Sequence, residues 1–94
     1  MPLHRGLGTA KIVMSDIDFA MVSERGAVVP CTLTQGATDN LAGPHGKRSI
    51  DRLQIFTTWQ VNIEEIASQK FDAGILESGR VVIGPPDLLK AGIL

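Results

Sequence analysis

Ninety-four residues leave room for one domain, and 44% hydrophobic against 20% charged residues place the chain among folded proteins and outside the disordered class. Nine Lys and Arg against ten Asp and Glu leave a formal charge of −1, so there is no net positive field to hold a polyphosphate non-specifically. A single cysteine, Cys31, excludes an intrachain disulfide framework, and the cytoplasm is the expected compartment.

At this size roughly two thirds of the chain's surface is buried on folding, enough for one core. No apolar run approaches the roughly eighteen residues of a membrane span, and residues 1–10 lack the apolar stretch of a secretory signal, so no membrane association is expected. No segment repeats at a fixed period.

Residues 1–10, with Pro2, Gly6 and Gly8 among few apolar positions, read as a flexible N-terminal arm ahead of a single α+β domain over 11–94. Ile17, Phe19 and Met21 alternate with Asp16, Asp18 and Ala20, the period of a half-buried strand whose carboxylates face water. Residues 23–26 have turn composition, and a second strand over 27–33 completes a hairpin. Pro30 cannot donate to a ladder, which puts it at an edge or a bulge.

Thr34 is a suitable N-cap for a short helix over 35–41 that ends at Gly43-Pro44. Ser49 then caps a long helix over roughly 50–71, about 33 Å in length, which Gly74 stops. Leu53, Phe56, Ile63, Ala67 and Phe71 form one apolar stripe of this helix, and Ile55, Trp59 and Ile66 form a second beside it. Together they span about 160°, wider than the roughly 100° needed to cover one surface, so the helix is expected to pack on two things. Ser78-Gly79 joins 75–77 to 80–83 as a second hairpin, Pro85-Pro86 ends it, and Asp87 caps a turn over 88–90. The order β-β-α-α-β-β predicts one four-stranded antiparallel sheet with a short and a long helix packed on one face.

Ile17-x-Phe19, Val29-Pro30-Cys31, Leu53-x-x-Phe56, Ile63-Glu64-x-Ile66-Ala67-x-x-Lys70-Phe71, Arg80-Val81-Val82-Ile83 and Asp87-Leu88 together resemble domain of unknown function family 1488, a family of small bacterial domains. The central helix segment is the most specific part. The chain departs at Gln60, where a basic residue is usual, and at Phe71, where Tyr is frequent. The resemblance implies a compact α+β bacterial protein and brings no activity, substrate or catalytic residue with it.

The chemistry-bearing residues assemble into no known constellation. Residues 43–49 place Gly-Lys before a helix but lack the glycine spacing and the Ser or Thr after Lys of a phosphate loop. What survives is a helix start beside Lys47, Arg48 and Arg52, an anion-binding candidate. Gly6-Leu7-Gly8 is half of a dinucleotide fingerprint with no strand before it. Cys31 and His45 are the only thiol and imidazole that a short separation could pair, and Cys31 on the face of Val29 and Leu33 reads as core. Asp16 and Asp18 are too few for a hard cation, and no zinc spacing exists, so neither metal nor cofactor is expected.

These readings describe a non-enzymatic protein-interaction or regulatory domain that carries its interaction surface on Ile55, Trp59 and Ile66. The expected partner is a protein, with a homodimer as one form. The alternative is a nucleic-acid-associated regulator using the basic stretch 43–52; a small-ligand binder or enzyme ranks last.

Overall fold

A computed structural model of the chain describes residues 3–6, 10–42 and 49–93. Its elements run β1 (His4–Arg5), β2 (Lys11–Val13), β3 (Asp16–Val22), β4 (Val28–Leu33), α1 (Gln35–Ala42), α2 (Ser49–Thr58), α3 (Gln60–Asp72), β5 (Val81–Ile83) and α4 (Pro85–Lys90). The hairpin of β3 and β4 is the centre, in antiparallel register from Ile17 opposite Leu33 to Val22 opposite Val28. Period-2 alternation sends Ile17, Met21, Val29, Cys31 and Leu33 to one face, all buried. Phe19 shares that face, its ring centroid 5.0 Å from that of Phe56. Ala37 of α1, Phe56 of α2, Ile63, Ile66 and Ala67 of α3 and Leu88 of α4 complete the core from the helical side. Each fully buried Ile or Leu contributes about 1.5–3 kcal/mol, offset by ordering entropy.

The sheet is mixed and five-stranded, which corrects the expected four-stranded antiparallel arrangement. β1 and β2 both pair antiparallel with the outer side of β3, and β5 lies parallel to β4, Cys31 opposite Val81 and Leu33 opposite Ile83. The physical reason is the connection. Parallel neighbours need a long helical crossover, and α1 to α3 supply it between β4 and β5. The second hairpin shrinks to one bridge, Glu77 to Arg80, around Ser78 and Gly79 with φ of 53° and 77°. The turn forms as composition requires, but the chain beyond it pairs with β4 instead.

Part of the stretch read as an arm, 1–10, is structured. Leu3 is buried, its amide bonded to Ser68 Oγ at 3.0 Å, and His4 and Arg5 pair with Val22 and Met21. Gly6 is there for space: a Cβ at this position would stand 2.6 Å from the Ala20 carbonyl oxygen.

The helix expected over 50–71 divides at Trp59 (φ −104°, ψ 14°), although Trp59 N still bonds Ile55 O and Ile63 N bonds Trp59 O. Thr57 and Thr58 donate their hydroxyls back to Leu53 O and Gln54 O, both at 2.9 Å, a pattern that bends helices. α3 ends in a Schellman motif, with Gly74 N on Phe71 O and Ile75 N on Lys70 O, so Gly74 (φ 74°) stops the chain as its composition requires. Thr34 caps α1 through Oγ1, which accepts from Ala37 N at 3.2 Å. α4 begins earlier than the turn expected at 88–90, with Pro85 and Pro86 in its first positions and Asp87 Oδ2 accepting the Gly84 amide at 2.8 Å.

Candidate functional site

The residues that carry the family resemblance are engaged in holding the fold. Ile63, Ile66 and Ala67 are core. Lys70 Nζ donates to Val82 O and to Asp87 Oδ2, joining α3 to β5 and to the start of α4. Glu64 takes a two-pronged hydrogen bond from Arg5, at 2.8 and 3.1 Å, which pins β1 to α3. That hydrogen bond, with the charge behind it, pushes the Arg5 guanidinium further up.

The outer ends of β5 are closed in the same way. Ile83 O accepts the Thr34 amide, so Val82 points its backbone away from β4, and its carbonyl is covered by Lys70. Glu77 and Arg80 satisfy each other's backbone on one side, and Asp87 takes the Gly84 amide on the other. A strand edge blunted in this way resists pairing with another chain.

Cys31 is fully buried, its thiol donating to Val29 O at 3.5 Å. Burial pushes the thiol up to about 11, against a smaller opposing pull from Arg80 and a backbone bond at Met21, so it is neutral at pH 7 and supplies no thiolate. His45 lies outside the described residues, as do Lys47 and Arg48. Arg52, the remaining member of the anion-binding candidate, is only 6% exposed, and its Nη2 pairs with Asp39 Oδ1 at 2.9 Å. It ties α2 to α1 and is not presented to solvent.

The three residues expected to form an interaction surface differ in burial. Ile66 is buried in the core, Trp59 is half-buried and packed against it, and Ile55 is half-buried. The second stripe of the helix is therefore used largely inside the chain: the two things it packs on are the sheet and its own neighbouring elements.

The outer face of the sheet is the other candidate surface. Asp16, Asp18, Ala20, Val22, Val28, Pro30, Thr32 and Val82 alternate with the inward-facing positions; Thr32 is buried, Val28 is exposed and the rest are half-buried. Val28 is 69% exposed and Val13 39%. Across the middle runs a polar row. Arg80 Nη1 donates to Thr32 Oγ1 at 2.8 Å, Thr32 Oγ1 donates to Asp18 Oδ1 at 2.9 Å, and Lys11 stands opposite Asp18 in the register of β2 and β3. Lys11, Asp18, Ala20, Val28, Pro30 and Arg80 line a shallow concavity of about 290 Å³. The alternation of β3 already pointed to this face; Lys11 and Arg80 were missed because β2 and the parallel placement of β5 were.

Among the described residues no three His, Cys, Asp or Glu side chains are placed to hold a metal ion, and no helix is long and apolar enough to cross a membrane. No protein-family model matches the chain and no curated protein matches it. A crystal structure of a protein of unknown function from the DUF1488 family of Shewanella loihica PV-4 is similar over 86% of this chain and 90% of its own, at 20% identity and a TM-score of 0.76. The fold is thus shared with that protein, and its family is the one that the sequence resembles.

Proposed function

We propose that this chain is a non-enzymatic, cytoplasmic protein-interaction domain of the DUF1488 kind, and that its partner docks on the outer sheet face. The observation that supports this reading is Val28, 69% exposed at the rim of the concavity that it lines with Ala20 and Pro30. Its motif residues being structural supports it too: Lys70, Asp87, Glu64 and Arg80 each hold two elements together. The nucleic-acid alternative loses Arg52 to Asp39 and rests on Lys47 and Arg48 alone.

The test is an affinity pull-down of the tagged chain from native lysate, with and without nuclease, in parallel with Val28→Asp. A defined partner that survives nuclease and is lost with Val28→Asp is the expected result. Bound material that disappears with nuclease, or a partner retained equally by Val28→Asp, would overturn docking at this face.

A further inference from the structure

We infer, apart from the docking reading, that β1 is a strap that opens separately from the rest of the sheet, with the Arg5–Glu64 pair as its salt-sensitive latch. The broken ladder on the outer side of β3 points to it. His4 lies opposite Val22 and Arg5 opposite Met21, and Gly6 N donates to Ala20 O at 3.1 Å. Lys11 lies opposite Asp18. Between Gly6 and Lys11 the chain spends four residues where β3 spends one, Phe19, so β1 and β2 are separate strands on one edge. β1 can leave without breaking a pair of β2.

Besides its pairing with β3, β1 is held on one turn of α3. Residues i and i+2 of a strand share a side at about 7 Å, and residues i and i+4 of a helix are neighbours at about 6 Å. Leu3 N donates to Ser68 Oγ at 3.0 Å, and Arg5 gives its two-pronged bond to Glu64. Leu3 is the buried anchor; Arg5, its side chain 57% exposed, is the part that salt reaches. The seat survives release, because Gln60 Nε2 donates to Glu64 Oε2 at 3.2 Å and the carboxylate keeps a donor when Arg5 leaves. Release bares the Ala20 carbonyl and the outer edge of β3 at Met21 and Val22, a surface of the kind on which another strand pairs, while Lys70 keeps the β5 edge covered. One edge of the sheet is thus fixed and the other switchable.

Native-state hydrogen exchange of the full chain, read by NMR, tests this through the amides of Leu3, Gly6 and Thr34, the last bonded to Ile83 O where β4 and β5 end. Leu3 and Gly6 should open together, with protection at least about tenfold below that of Thr34, and about two- to fivefold lower again when salt is raised from about 0.02 to about 0.5 M. Arg5→Met should give the same loss of protection in low salt and abolish the response to salt, with Thr34 unchanged. Leu3 and Gly6 as protected as Thr34 would mean that β1 opens only with the whole fold. That result, unequal protection of the two amides, or indifference to both salt and Arg5→Met would overturn the strap.

Discussion

Cys31 sits where β4 is covered on its inner face, and its chemistry follows from that position. The unfolded chain ionises this thiol near 9.0, whereas the folded chain holds the proton to about 11. In that window the native state binds the extra proton, so the contribution to stability is complete below about pH 9 and is lost as pH rises toward about 11. Urea midpoints measured across this range should fall; a rising midpoint would contradict the buried thiol. Native protein at pH 8 should leave an aromatic disulfide reagent unreacted until denaturant is added. Met14 and Ser15 make a second residue-scale case. They join β2 to β3 with φ of 50° and 73°, the geometry of a type I′ turn built without glycine or asparagine. Left-handed backbone costs an ordinary residue about 1–2 kcal/mol, so Met14→Asn with Ser15→Gly should stabilise the chain by about 1 kcal/mol or more. Calorimetry should record a melting temperature higher by about 4–8 °C per kcal/mol. The same unsuitable residues hid β2 from a reading that depends on turn composition.

At the scale of elements, Lys70 does two things with one ammonium group. It joins α3 to α4 through Asp87, and it covers the outward carbonyl of β5 at Val82. Lys70→Met keeps the aliphatic stem and leaves both acceptors short of a donor, which should cost about 1–3 kcal/mol. It also uncovers the edge, so light scattering should show association that grows with concentration, while Lys90→Met stays as the parent. A Lys70→Met chain that remains monomeric at every concentration would remove the edge-guard role. The division of the long helix belongs to this scale as well. Apolar periodicity runs unbroken from Phe56 to Ile66, but Thr57 and Thr58 return their hydroxyls to the backbone and the axis breaks at Trp59. Their cost to helix propensity was legible; the interruption they produce depends on the packing around Trp59.

For the whole molecule, the two layers assign opposite roles to residues of similar hydrophobicity. Ile66, expected at a surface, is 5% exposed, whereas Val28, next to the buried Val29 on the opposite face of the strand, is 69% exposed. Ile66→Ala should therefore cost about 2–5 kcal/mol. Val28→Asp should stay within roughly 0.5 kcal/mol of the parent while removing partner capture. Chemical denaturation followed by Trp59 fluorescence separates the two, and a large loss with Val28→Asp would mean that the face is internal.

Legible in the chain's own order were the local features: the β3–β4 hairpin from its alternation, the Thr34 cap, the Gly74 stop, the buried Cys31 and the resemblance whose fold the Shewanella loihica protein shares. These depend on periodicity and on backbone chemistry within a few residues. Long-range packing alone settled that β5 runs parallel to β4, that His4 and Arg5 join the sheet, that Arg52 is spent on Asp39 and that Lys11 and Arg80 line one concavity. Each of these is a meeting of segments distant in the chain, and a residue's own neighbours carry no record of which strand, helix or charge it will find across the fold.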